Sequence, residues 1–203
     1  MAAFLFKEVK LVPFLKERLE LIEVANLAFR LGLTDSHGGN LSCRVGEKIV
    51  IKRSGKSLGA LKPEDFVVTD VGKSSPFDKF ASLELKVHRA IYRELPHARA
   101  ILHTHSPYTV ASSLKFEEIE PLDSESKLLL GEKIPVLKAK KVVSSEEVAK
   151  KLPELLKKCP VAVVYSHGPF AVGRSIEEAL KYISALENSC KILAFHAQLS
   201  SKE

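Results

Sequence analysis

The 203-residue chain has no tryptophan, one methionine, three asparagines and one glutamine. Its lysines alternate with glutamates and do not cluster with aromatics, so it offers no stacking platform of the kind that single-stranded nucleic acid requires. Few amides together with abundant Lys and Glu is the composition expected of a protein from a hot environment. The three cysteines, Cys43, Cys159 and Cys190, form no CxxC pair. That argues against both a disulfide framework and a zinc ribbon and leaves free thiols, buried or partly exposed. No apolar run approaches the ~20 residues that span a bilayer. Met1–Phe6 is too short for a signal peptide and charged residues follow at once, so a soluble cytoplasmic protein is expected. There is no Gly/Ser-rich or Pro-rich linker, no internal repeat, no Walker loop and no Rossmann fingerprint. One domain over residues 1–203 is expected.

With 45% apolar residues the chain can bury a full core. The net charge of +6 is compatible with nucleic acid, but the missing stacking motif favours a small anionic substrate.

The most informative stretch is His103-Thr104-His105, which ends the apolar run Ala100–Leu102. Residues i and i+2 of a strand share a face, so the two imidazoles are expected to project together as half of a metal site, or else to be two surface histidines. Pro160–Tyr165 reads as a buried central strand. Ser166-His167-Gly168-Pro169 follows it, so His167 is the natural third ligand. A catalytic zinc site takes three protein ligands and keeps one position open.

The remaining segments read in order. A helix is expected over Leu11–Leu31, with Pro13 in its first turn and Gly32 as its stop. The Gly-rich loop Thr34–Asn40 leads into a hairpin of Leu41–Val45 and Lys48–Lys52. Arg53–Ser57 is a second small-residue loop. The two loops are either ordinary turns or an anion nest of backbone N–H groups, and His37 could add a ligand. Phe66–Asp70 is a strand. Ser82 caps a helix over Leu83–Leu95, with Glu84 in its first turn, either a simple cap-region acid or a general acid/base. His88, one turn on, packs on the helix, bonds to Glu84 or serves as a ligand. Further helices are expected over Pro107–Leu114, from the capping box Ser144–Glu147 to about Lys158, and from the capping box at Ser175 to about Gln198. Strands are expected over Ala98–His105, Ile134–Leu137 and Phe170–Gly173. Residues 116–131 give no clear assignment, and His97 and His196 receive no role.

Taken in order, GGNLSCR (Gly38–Arg44), KRSG (Lys52–Gly55), LKPEDFVVTD (Leu61–Asp70), SLELKVHRAIY (Ser82–Tyr92), HTHSPY (His103–Tyr108) and SHGPFAVG (Ser166–Gly173) resemble the class II aldolase/adducin head family from about Glu23 to Ala194. The resemblance implies a three-layer α/β/α domain with a mostly antiparallel central sheet, assembled as a homotetramer with sites near subunit interfaces. It implies one Zn²⁺ per subunit on His103, His105 and His167, with Glu84 as the acid/base. Phosphate contacts would come from Gly39, Asn40, Ser54, Gly55 and Ser82. The implied activity is aldolase cleavage of a sugar phosphate, such as L-fuculose 1-phosphate, to dihydroxyacetone phosphate and an aldehyde. Methylthioribulose-1-phosphate dehydratase and pentulose-phosphate 4-epimerase are alternatives on the same zinc site. A non-catalytic module of the adducin kind would lack the histidines.

Two departures from the family pattern stand out. Leu83 takes the middle position of Ser82-Leu83-Glu84, where the family often has a second serine. Residues 116–144 also hold no tyrosine, whereas the aldolase uses one as proton donor between its histidine motifs. Tyr108 and Tyr165 lie too near the histidine strands to be taken as equivalents.

Overall fold

The computed structural model describes residues 12–200. The reading of Met1–Phe6 and the expected helix start at Leu11 lie outside that range. The strands are β1 (Asn40–Val45), β2 (Lys48–Lys52), β3 (Phe66–Asp70), β4 (Ala100–His103), β5 (Glu118–Ile119), β6 (Ile134–Leu137), β7 (Val161–Val164) and β8 (Gly168–Gly173). They form one eight-stranded sheet in the order β3-β2-β1-β4-β8-β7-β6-β5. Neighbours pair antiparallel except β6 with β7, which are parallel. The sheet is therefore mixed but mostly antiparallel. The helices are α1 (Leu15–Arg30), α2 (Leu85–Glu94), α3 (Pro107–Lys115), α4 (Ser124–Leu130), α5 (Glu146–Leu156) and α6 (Ile176–Ser200).

Period-two alternation splits the core into two layers. Val50, Ala100, Leu102, Val161, Val163 and Ala171 face the side covered by α1, α4 and α6. Ile49, Ile51, Ile101, Ala162, Val164, Phe170 and Val172 face α2 and α5. The parallel β6–β7 pair requires a crossover, and α5 is that crossover. It packs against α2, β6 and β7.

Local signals explain most element boundaries. Gly32 (φ 70) ends α1. Its N–H bonds the Phe29 carbonyl and the Leu33 N–H bonds the Ala28 carbonyl, which is the Schellman pattern. Pro13 falls before the helix, because Phe14 takes a left-handed conformation (φ 58) at the N-cap. Gly46 (φ 59) turns the β1–β2 hairpin at the expected place. Ser145 caps α5 by accepting from the Val148 N–H at 3.3 Å. Glu147 does not return to the cap, however, and instead accepts from the Lys140 N–H. At α6, Ser175 Oγ accepts from the Glu178 N–H, and Glu178 reaches one residue past the cap to the Arg174 N–H. The buried Glu187 of α6 accepts from the Tyr108 and Thr109 N–H groups, which open α3. It supplies from another helix the cap that Ser106 does not. Cys43, Cys159 and Cys190 are free thiols. Among the described residues no helix is long and apolar enough to cross a membrane.

Candidate metal centre

Antiparallel pairing brings the start of β1, the ends of β2, β4 and β7, and the start of β8 to one end of the sheet. His103 is the last residue of β4 and continues the face of Ile101, toward α2. It pairs across the sheet with Asn40 on one side and Phe170 on the other. The ring is fully buried and stacks on Phe170 with centroids 3.9 Å apart and planes within 13°. Nδ1 lies 2.9 Å from the Pro169 carbonyl, so it carries the proton and donates. That leaves Nε2 with a free lone pair. Burial, then the neighbouring His167 and His105 rings, push the pKa of His103 well down, so the ring is neutral, as a ligand must be.

His105 stands beyond the end of β4, because the strand closes two residues earlier than expected. Its Nε2 still comes to 3.1 Å from His103 Nε2. Burial and then His167 lower its pKa too. His167 arrives on the turn between β7 and β8. At Gly168 (φ 138) an added Cβ would stand 2.1 Å from the Thr104 carbonyl oxygen, so only glycine lets this turn press against the end of β4. The potential ligand atoms of His103, His105 and His167 all lie within 4.8 Å of one another.

The chemistry of this donor set fits a divalent metal. His167 Nε2 and Glu84 Oε2 are buried and have no hydrogen-bond partner among the described residues, and such orphans call for an explanation in a native fold. Two imidazole nitrogens on one tetrahedral ion at ~2.0–2.1 Å stand roughly 3.3–3.4 Å apart, close to the observed 3.1 Å separation. The three histidines can hold such an ion.

Glu84 sits immediately before α2 with 3% of its surface exposed. Ser82 Oγ accepts from its N–H. Its Oε1 accepts from the Ser144 N–H at 2.9 Å and faces His167 Nε2 at 3.6 Å. The latter separation is too long for a hydrogen bond, so the Ser144 amide is the firm anchor. Burial pushes the carboxyl pKa up, but the His167 ring and the Ser144 N–H outweigh it and hold Glu84 below the usual carboxylate value.

The residues expected to contact phosphate gather at the same end of the sheet. At Gly39 (φ 79) a Cβ would stand 2.8 Å from Leu58 Cδ1 and 2.9 Å from the His103 carbonyl oxygen. The loop carrying Ser54 and Gly55 is clipped to the segment before α2: the Ser54 N–H bonds the Phe80 carbonyl and the Ser82 N–H bonds the Lys52 carbonyl.

Of the alternatives left open for His88, the bond to Glu84 is not the one it makes. It is fully buried and contacts Asn40 Oδ1 at 2.6 Å and Ser42 Oγ at 2.7 Å. The His88 ring is therefore turned toward β1, whose Asn40 and Ser42 project on that face. His37 stays exposed beside Ser36 and is not part of the histidine cluster. His97 and His196 are exposed.

Lys52, which opens the KRSG motif, and Ser144, which opens a capping box, have no site role in the sequence pattern, yet both border the site. Lys52 is buried at the end of β2, where it donates to the Lys56 carbonyl. Burial lowers its pKa to about 8, with Asp65 pulling the other way. Its charge also depresses His105. A lysine ending an apolar strand at a Gly-rich loop was a usable signal. Ser144 adopts a left-handed conformation (φ 50), and nothing local in its sequence announces that.

A family model described as Class II Aldolase and Adducin N-terminal domain matches residues 19–194. The chain belongs to this family. A curated relative, a methylthioribulose-1-phosphate dehydratase of Methylococcus capsulatus, is 30% identical over 184 residues, covering 83% of this chain and 88% of the relative. An L-fuculose phosphate aldolase of Methanococcus vannielii is 30% identical over 175 residues, covering 85% and 93%. The crystal structure of L-fuculose-1-phosphate aldolase from Thermus thermophilus superposes with a TM-score of 0.86 at 32% identity, covering 92% of this chain and 97% of that one. Class II aldolase relatives thus include enzymes of two reaction types on one fold, and the histidine cluster is where this member of the family can take its metal.

Proposed function

We propose that the protein is a zinc-dependent lyase that cleaves a sugar phosphate, such as L-fuculose 1-phosphate, to dihydroxyacetone phosphate and an aldehyde. The observation that carries this reading is the convergence of three imidazoles with the buried Glu84, a carboxylate held below its usual value, whose second oxygen has no partner among the described residues. When bound, the metal ion would supply a Lewis acid that stabilises negative charge on the substrate oxygens. His103, His105 and His167 would hold it. Glu84 moves the proton at the carbon beside the carbonyl through its free Oε2, while Oε1 stays on the Ser144 amide and fixes the carboxylate. Gly39, Asn40, Ser54, Gly55 and Ser82 hold the phosphate away from the reacting bond and so orient the substrate. Ser82 Oγ accepts from the Glu84 N–H, and its own proton remains available for a phosphate oxygen.

A second reading, dehydration of methylthioribulose 1-phosphate, is favoured by one specific feature. Residues 116–144 hold no tyrosine to act as proton donor on the aldehyde side, and the dehydratase of Methylococcus capsulatus is as similar to this chain as the aldolases. Both reactions move a proton at the carbon next to a ketone, as the last step of the cleavage and the first of the dehydration, so one metal and one carboxylate serve either. A homotetramer belongs to the proposal as well. Exposed Tyr108 and Leu122 border an apolar cavity of about 350 Å³ between α3 and α6, a surface suited to a neighbouring subunit.

The deciding experiment is solvent deuterium exchange into dihydroxyacetone phosphate, followed by NMR, with zinc-loaded and chelator-treated protein. Chelator-sensitive exchange supports the aldolase. A zinc-loaded protein that leaves dihydroxyacetone phosphate unexchanged and dehydrates methylthioribulose 1-phosphate overturns it in favour of the second reading.

A further inference from the structure

One buried polar cluster lies beside the histidine cluster and shares only Asn40 with the proposed substrate contacts. It joins α2 to β1 through His88, Tyr92, Asn40 and Ser42. His88 is fully buried, and its two ring nitrogens have different partners. Nε2 meets Asn40 Oδ1 at 2.6 Å, and Nδ1 meets Ser42 Oγ at 2.7 Å. An amide oxygen cannot donate, so Nε2 must carry the proton. Burial depresses the His88 pKa to about 4, with Glu84 pulling it the other way. The ring is therefore neutral, Nδ1 is an acceptor, and the Ser42 hydroxyl donates to it. The Tyr92 hydroxyl lies 2.8 Å from Ser42 Oγ and also donates to the Ser42 carbonyl at 3.1 Å. The chain of donors runs from the Ser42 hydroxyl through His88 to Asn40.

We infer that His88 is a positioning residue that fixes the Asn40 side chain with its oxygen turned inward, so that its NH₂ is the half offered to the substrate's phosphate. Asn40 Oδ1 is occupied, and its NH₂ donates to no group among the described residues. Asn40 pairs directly with His103 across β1 and β4, so the amide stands at the mouth of the metal centre. A freely rotating asparagine would present oxygen as often as nitrogen, and oxygen repels an anion. The His88 proton removes that ambiguity without placing a positive charge beside a site whose histidines can hold a metal cation. The inference rests on the proposed reading of Asn40 as a phosphate contact.

The test uses the zinc-loaded full chain, labelled with ¹⁵N, and inorganic phosphate as the probe. The sequence holds only four side-chain amides, on Asn26, Asn40, Asn188 and Gln198, so the Asn40 NH₂ pair is resolvable. Long-range ¹H–¹⁵N correlation should find His88 as the Nε2–H tautomer, and phosphate should shift the Asn40 NH₂ signals. In Ser42→Ala the donor to Nδ1 is gone, the tautomer is free to reverse, and Asn40 can turn its oxygen outward. Phosphate affinity, and KM for a phosphorylated substrate, should weaken roughly ten-fold or more, with kcat much less affected. Ser42→Thr, which keeps a hydroxyl, should restore both.

An Nδ1–H tautomer in the wild-type protein, which needs no variant to fold, overturns the inference. So does phosphate that moves the Gly39 and Ser54 backbone amides while the Asn40 NH₂ stays still, and in that case the phosphate pocket itself survives. Phosphate that moves none of these groups removes the pocket and, with it, the task assigned to Asn40.

Discussion

Two histidine clusters sit side by side beneath α2, and they are opposites. In the cluster of His88, Ser42, Asn40 and Tyr92 every ring nitrogen and both hydroxyls have a partner within 2.8 Å. In the cluster of His103, His105, His167 and Glu84, one imidazole nitrogen and one carboxylate oxygen are buried with none. Both draw on β1 or β4, and in both burial lowers imidazole pKa values, that of His88 in one and those of His103 and His105 in the other. In the closed cluster every ring nitrogen and hydroxyl is engaged, and the Asn40 NH₂ is the one polar group left without a partner among the described residues. The open one carries the cost of unmet hydrogen bonds, which identifies it as a place built for something else to bind.

The sharpest way to break this contrast is to dismantle the open cluster. His103→Ala should lose the metal, and turnover should fall on the order of 10⁴-fold, since a Lewis acid supplies several kcal/mol and each ~1.4 kcal/mol is tenfold. Metal analysis of the purified variant checks this. Stoichiometric zinc would remove His103 from the ligand set. Glu84→Gln keeps the shape and the Ser144 contact but cannot take a proton. It should retain metal and lose about 10²–10³-fold in kcat, and near-wild-type turnover would assign the proton transfer elsewhere.

A third prediction concerns charge. Lys52 has a folded-state pKa of about 8, below the ~10.4 of an unfolded lysine. Between those values the unfolded chain binds more protons, so this residue's contribution to stability rises with pH. Cys43 and Cys190 are pushed up by burial, to about 12 and about 11, and act in the opposite direction. The test is therefore the difference between wild type and Lys52→Met, in which the cysteines cancel. That difference should move in favour of wild type by up to ~3 kcal/mol from pH 8 to 10.5, read by denaturant titration. A pH-independent difference would mean that Lys52 is not held in a desolvated site. The smallest effect belongs to the closed cluster. Tyr92→Phe should cost ~1 kcal/mol of stability and leave the bound metal unchanged. Loss of metal in that variant would show that the two clusters are not separate.

The same contrast explains what could be read in the chain beforehand. Strands β2 and β3 were legible to the residue because alternation and turn residues are local. The metal candidates were legible because HTH and SHG each end an apolar run. Residues 116–131 were not, since β5 is two residues long and shows no period. The partners of His88 were not, because Asn40 and Ser42 lie some 46–48 positions away and the helix rule points to Glu84 instead. The Ser144 amide on Glu84 spans 60 positions and depends on a left-handed residue that carries no glycine to announce it.

The single parallel pair, β6 beside β7, has a mechanical meaning. An antiparallel pair could have been joined by a tight turn. The parallel pair forces the chain back over the sheet as α5, and the loop that launches α5 is thereby left at the end where the histidines meet. One oxygen of Glu84 hangs from the Ser144 amide in that loop, while the body of α5 is clamped on α2. The carboxylate is thus coupled to a lever. With Oε1 held on that amide, Glu84 can shift toward a substrate only as α5 rocks against α2, the helix that Glu84 caps.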